Sequence, residues 1–302
     1  MEILFLDKTQ LSQRAEDFCD LYRSCFSDPI TPETVQHRYL ENPLQDDLLM
    51  VCAQQDGRLV ANYAAVPMRA MYFGREVRCA LSLNTMTHPD FAGQGLFLRL
   101  SGLLYEEMRR RGYAFVYGFP NRFSNNAFIS RHHWQDIYEI PTMTLELSER
   151  SQPASCGSVE ACTAQQVHVQ PHVPISLVKD AAFLAWRYGA PEYRFMRLDA
   201  ENFMICKKYR DELNLPELHA QGKEPLGKLL DAAVCTAVSL GCTRVTTWSH
   251  SNTEQHSLLE KRGFFNAAPV RYLAALALQD VSERDLYDYR CWDVSMGDDN
   301  VY

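Results

Sequence analysis

The stretch NTMTHPDFAGQGLFLRL, Asn84 to Leu100, holds the residues best suited to chemistry. Gly93 and Gly95 flank Gln94 and stand directly ahead of Leu96, Leu100, Leu103, Leu104 and Met108, which repeat at helical spacing. A glycine loop that opens a helix is a prepared anion site. The first N–H groups of the helix have no internal partner, its dipole is positive there, and glycine lets a phosphate approach the backbone. An ordinary strand-to-helix turn fits the same residues. No Lys-Ser/Thr follows the second glycine, so this is not a P-loop, and no third glycine completes a Rossmann G-x-G-x-x-G.

The elements that must position this loop are readable on either side of it. Leu11 to Phe26 carries an apolar helical face, and Thr31-Pro32-Glu33 reads as a cap with proline in the first helical turn. Three strands are expected at Leu48–Gln54, Leu59–Tyr72 and Glu76–Thr87, with hairpin signals at Asp56-Gly57 and Phe73-Gly74. Gly112 ends the helix after the loop, and YAFVYGF reads as a buried strand stopped by Pro120-Asn121. Ser124 is placed to cap a short helix ending at Trp134. From Glu149 to Gln166 small and polar residues without periodicity indicate a linker. Beyond it, LGKLLDAAVCTAVSLGCTRVTTW and SNTEQHSLLEKRGFF repeat the order helix, glycine, strand, helix. Gly112 and Gly241 are 129 positions apart and Trp134 and Phe264 are 130, which points to an internal duplication.

Composition bounds the partners. With 302 residues the chain is long enough for two domains, each with its own core. A net charge of −8 argues against binding the backbone of a nucleic acid. The longest basic run, Arg109 to Arg111, reads as a helix C-terminus complementing its dipole. The N-terminus has no signal-peptide pattern and no apolar run is long enough for a membrane span, so a cytoplasmic protein is expected. Ten dispersed cysteines without C-x-x-C spacing suggest reduced thiols. His132-His133 lacks partners at ligand spacing, so no metal is expected.

Taken together, THPDFAGQGLFLRLSGLLYEEMRRRGYAFVYGFPN and the following SNNAFISRHHW resemble the GNAT acyltransferase superfamily. The resemblance covers roughly residues 40–140. It implies an α/β (mixed α+β) fold of two tandem GNAT-like domains, each a mixed, mostly antiparallel sheet flanked by helices. The implied division is 1–150 for an N-terminal domain with the acyl-CoA site, 151–166 for the linker and 167–302 for a degenerate C-terminal domain shaping the acceptor cleft. The co-substrate implied is acetyl-CoA or another acyl-CoA, its pyrophosphate held by Ala92, Gly93, Gln94, Gly95, Leu96 and Phe97. Ala92 stands where the family usually has Gln or Arg, and Phe97 where it has a small residue. Both leave the backbone N–H groups in place. The offset of 129 puts Gly222, Glu224 and Pro225 opposite Gly93, Gly95 and Leu96. An acidic side chain and a proline there would spoil an anion site.

On that reading, Met86 and Thr87 pair with the pantetheine arm and the backbone around Leu83 to Met86 supplies the oxyanion contact. No cysteine has an evident nucleophile context, so direct attack by the amine is expected. Asn84 is a candidate for orienting the reactants, His88 for the base, and Tyr63 and Tyr117 for protonating the thiolate. Each also has a structural reading, as strand-end polar residue, loop residue or core tyrosine. The tyrosine frequent in the family in the helix after the strand YAFVYGF is replaced by Ile129. Asn121 and Ser124 would bind cofactor or cap the helix.

The segments NTMTHPDFAGQGLF, GFPNRFSNNAF, FLAWRYGAPEYRF and CWDVSMGDDNVY are similar to a narrower group, tandem-GNAT enzymes that acylate nucleotide-linked amino sugars. That likeness makes Trp186, Arg187, His250, Asn252, Trp292 and Asp298 candidates for the acceptor cleft. The acidic charge would equally suit another small amine, such as an amino acid, a polyamine or an antibiotic. A non-catalytic acyl-CoA sensor is the reading outside the enzyme class. A monomer or homodimer is expected.

Overall fold

The computed structural model describes residues 1–44, 47–120, 122–148, 159–251 and 253–299. Chain order runs β1 (Glu2–Phe5), α1 (Lys8–Gln13), α2 (Ala15–Cys25), α3 (Pro32–Val35), β2 (Leu49–Gln55), β3 (Arg58–Tyr72), β4 (Arg75–Thr87), α4 (Leu96–Arg110), β5 (Phe115–Gly118), α5 (Arg122–His132) and β6 (Gln135–Glu146). It continues through β7 (Glu160–Ala161), β8 (Ile175–Leu177), α6 (Ala181–Arg187), β9 (Tyr193–Arg197), β10 (Phe203–Tyr209), β11 (Glu212–His219) and α7 (Lys223–Ser239). Last come β12 (Arg244–Trp248), α8 (Glu254–Lys261), β13 (Phe265–Ala277), α9 (Glu283–Leu286) and β14 (Trp292–Asp293). The expected helix from Leu11 to Phe26 is two helices that meet at Arg14.

Two compact units divide the chain, and neither is continuous in sequence. The first takes Met1–Tyr138 and Tyr272–Cys291; the second takes Glu139–Arg271 and the segment from Trp292 onward. These bounds differ from a single cut near residue 150 because two strands change unit partway along. In the first unit the strands lie in the order β1, β2, β3, β4, β5, β13, with β4 and β5 the parallel pair. In the second the order is β7, β9, β10, β11, β12, β6, with β11 and β12 parallel. Thus β6, which follows α5, pairs with β12 through Thr142 to Glu146, while β13, which follows α8, pairs with β5 through Ala274 to Ala277.

Each sheet is covered by a helix whose apolar stripe the sequence dictates. Leu96, Leu100, Leu104 and Met108 recur every fourth residue on α4 and bury against Val51, Ala53, Tyr63, Ala65 and Val116. On α7, Leu226, Leu229, Leu230, Ala233 and Ala237 do the same against Met204, Leu213, Leu215 and Val245. Among the described residues eight cysteines are free, but Cys235 is disulfide-bonded, which departs from the reduced thiols expected. Among the described residues no helix is long and apolar enough to cross a membrane.

Candidate active site

The site of the first unit is a fork between β4 and β5. These strands are in register from Cys79↔Phe115 to Leu81↔Tyr117, and the ladder stops there. Beyond it β4 continues against β3 alone, and its register slips. Ala64 faces Leu83 but Asn62 faces Met86, so three steps on β4 match two on β3. The resulting bulge holds Asn84, with φ of 50°, in the left-handed region that asparagine tolerates better than most residues. Two buried side chains clamp it. Asn84 Nδ2 donates to Tyr39 Oη at 2.8 Å, and Asn62 Nδ2 donates to the Asn84 carbonyl at 2.8 Å. A bulge at a parting of strands turns backbone N–H groups out of the ladder, the requirement for an oxyanion contact.

The chain then makes the turn that leads to the glycine loop. His88 Nδ1 accepts from the Asp90 N–H at 3.3 Å and its ring lies edge-on to Phe91, so His88 serves as the cap of the Pro89–Phe91 turn. Gly93 and Gly95 have φ of 77° and 72°, and a Cβ on either would meet no atom within 4 Å. Glycine is therefore required by backbone conformation, not by close packing. Gly95 caps α4, and among the described residues no side chain accepts from the helix's first N–H groups, which suits them to a ligand or water. Phe97, which follows Leu96 in the first turn of α4, points its ring away from the loop. It turns inward onto Phe128 and His132, with ring centroids 5.3 and 4.4 Å away.

The two candidate tyrosines are both in the core. Tyr63 Oη lies 2.8 Å from Tyr105 Oη and 3.0 Å from Ser82 Oγ, and Trp134 Nε1 donates to Tyr105 at 3.0 Å. Burial pushes the Tyr63 phenol up to about 12. Tyr117 is fully buried with Phe115 and Phe119 around it. Met86 is buried opposite Asn62, and the Thr87 carbonyl accepts from Cys25 Sγ. α5 begins at Arg122, so Ser124 sits inside its first turn and does not cap it. Ile129 packs against the core of this unit, leaving no phenol at that position. Asn121 lies outside the described residues.

In the second unit the acceptor candidates mostly hold the segment 292–299 in place. Arg187 donates to the carbonyls of Gly297 and Asp299 at 3.2 and 2.8 Å, and Trp186 packs edge-on against Phe183. Trp292 is buried, in register with Ile175. Asp298 is 1% exposed and bridges to Lys179 at 2.7 Å. The same Lys179 bonds both oxygens of Glu217, at 2.9 and 3.1 Å, and Tyr188 Oη donates to Glu217 at 2.6 Å. Burial alone would pull the lysine down and both acids up. Asp298 and Glu217 outweigh burial at Lys179 and hold it above its ordinary value; Lys179 and His219 outweigh it at Glu217, which is lowered. Asp298, facing Glu217 as well, stays raised. His250 is buried and its imidazole is pulled down by that burial, with Asp293 opposing. Asn252 lies outside the described residues. α7 begins at Lys223, so Glu224 and Pro225 occupy its first turn, and Glu224 pairs with Lys228.

Sequence reasoning missed Tyr39, Asn62, Lys179 and Glu217. A signal existed for two of them: Asn62 interrupts the apolar run LVANYAAV, and Glu217 sits within the buried strand ELNLPELH. Among the described residues no group of His, Cys, Asp and Glu is placed to hold a metal ion.

Residues 8–135 match the family model of the acetyltransferase (GNAT) domain, the segment that contains the fork and glycine loop. The fold is that of GCN5-related N-acetyltransferase structures. The one from Kribbella flavida has a TM-score of 0.68 at 17% identity, over 92% of this chain and 72% of that one. The one from Anabaena variabilis has 0.64 at 10% identity, over 92% and 73%. Eis1 from Mycobacterium abscessus has 0.63 at 11% identity, over 92% and 74%. A search of curated proteins finds none that matches. The match over residues 8–135 is to a GNAT acetyltransferase domain and supports an acyltransferase.

Proposed function

We propose that the protein transfers an acyl group from acetyl-CoA or another acyl-CoA to the amine of a small acceptor by direct attack. The observation that carries this is the bulge at Asn84, set just past the point where β4 and β5 part and leading into the uncapped N-terminus of α4. On this reading the pyrophosphate lies on the N–H groups following Gly95, and the Leu83–Met86 backbone pairs with pantetheine and the thioester oxygen. Asn84 and its clamp then position the backbone, and the acid that returns a proton to the thiolate is water or the acceptor, since Tyr63 is occupied in the core. The second unit is proposed as a degenerate GNAT-like copy. Its element order and the first-turn Glu224 and Pro225 support a fold kept without the cofactor loop. A nucleotide-linked amino sugar is the acceptor we favour, in a cytoplasmic enzyme.

Ile129, in place of the usual tyrosine, favours a second reading as a non-catalytic acyl-CoA sensor. Titration calorimetry with acetyl-CoA, using the natural chain and Gly95→Glu, tests both readings. Binding that the variant loses, followed by CoA release with nucleotide-linked amino sugars or other amines, supports the enzyme. Binding without turnover of any amine supports the sensor. Absence of binding to acetyl-CoA and longer acyl-CoAs overturns both.

A further inference from the structure

The second unit has its own fork, and it holds a cavity. β11 and β12 are in register from Glu212↔Arg244 to Asn214↔Thr246, and there the ladder ends, as it does between β4 and β5. A cavity of about 190 Å³ is lined by His219, Ser249, His250 and Thr253 around this fork and by Ser176 and Asp293 of the β8–β14 pair. One water needs roughly 10–15 Å³ of such space, so a small organic molecule fits.

Two groups in the lining indicate its chemistry. Ser176 is 6% exposed, and its Oγ has no hydrogen-bond partner among the described residues. A buried hydroxyl left unsatisfied is unfavourable, and a bound polar group would remove that cost. Asp293 is in register with Ser176 across a parallel pair, so both side chains leave the same face. No ion pair to Asp293 exists among the described residues. Lys179 cannot supply one, because Glu217, Asp298 and Ser295 already take its ammonium, and His219 Nε2 lies 2.8 Å from Glu217. The uncompensated charge facing the cavity is therefore negative. An anionic ligand would meet Asp293 without a counter-charge, and an apolar one would leave Ser176 unsatisfied.

We infer that this cavity binds a primary ammonium group, with the Asp293 carboxylate and the Ser176 hydroxyl as its acceptors. It is a ligand site separate from the proposed acyl-CoA loop and does not depend on that loop binding cofactor.

Calorimetric titration of the full chain with cyclohexylamine, cyclohexanol and cyclohexanecarboxylate tests it. The amine is expected to bind at least about tenfold more tightly than the alcohol, and the carboxylate not at all. Asp293→Asn and Ser176→Val should each weaken the amine about tenfold or more while leaving acetyl-CoA affinity unchanged. Asp293→Asn keeps the side chain's size, so it decides the matter if Ser176→Val does not fold. Equal binding of amine and alcohol, or amine binding indifferent to Asp293→Asn, overturns the inference. Amine binding in a protein that fails to bind acetyl-CoA would keep this site and sink the acyltransferase reading alone.

Discussion

At the scale of single residues, the buried charges decide more than the surface ones. Lys179 is the cation shared by the buried acids Glu217 and Asp298, so removing it leaves both without their counter-charge. Lys179→Met should cost about 3–5 kcal/mol in urea unfolding, and Lys179→Met with Glu217→Leu should recover part of that loss. An additive double variant would show that the pair is not coupled. His132 offers a pH test. Its ring lies 3.1 Å from Ser101 Oγ among Phe97, Tyr105 and Phe128, and burial, with His133 adding to it, pulls its pKa from 6.5 to about 4. The folded state therefore keeps the imidazole neutral where the unfolded chain takes up a proton. The unfolded state binds more protons between about pH 6.5 and 4, so stability falls as pH drops through that window. His132→Leu should flatten this part of the stability profile, read from urea midpoints at pH 7, 5.5 and 4.5.

At the scale of elements, the bulge is the feature on which the proposed chemistry turns. Asn84 is held left-handed by Tyr39 on one side and Asn62 on the other. Asn62→Leu removes the donor to the Asn84 carbonyl and lets the backbone shift. Turnover should fall about 10–100-fold, as expected when reacting groups move by roughly an ångström, while acetyl-CoA affinity stays near that of the natural chain. Asn84→Gly keeps the left-handed conformation and should retain more turnover than Asn84→Val, which cannot adopt it cheaply. Equal losses in turnover and cofactor affinity would mark Asn62 as merely structural. The strands and helix around this bulge were legible because their signals are local: hairpin turns at Asp56-Gly57 and Phe73-Gly74, and a four-residue leucine repeat on α4. The bulge clamp was not, because Tyr39, Asn62 and Asn84 come from three distant points and nothing in their spacing announces the contact. Lys179 and Glu217 are 38 residues apart and meet only once β11 is buried. The inward rotamer of Phe97 was illegible for a related reason, since it is set by Phe128 and His132, which the loop sequence does not contain.

At the scale of the whole molecule, each unit's sheet is completed by a strand that the sequence places far from the rest of it. The strand that flanks β5 is β13, and its paired residues, Ala274 to Ala277, are contributed from near the end of the sequence. The strand that flanks β12 is β6, contributed from before residue 150. A cut near residue 150 would therefore leave β5 as an open edge, with Val116 and Tyr117 losing their neighbours on that side, and would take from the second unit the strand beside β12. Residues 1–150 produced alone should aggregate or melt without a cooperative transition, although they contain the whole glycine loop. Production together with residues 151–302 should restore a soluble pair that binds acetyl-CoA, because each piece then finds the strand it lacks. An isolated 1–150 that folds cooperatively and binds acetyl-CoA would show that β13 is dispensable to the first unit. The exchange would then be a feature of connectivity without consequence for stability.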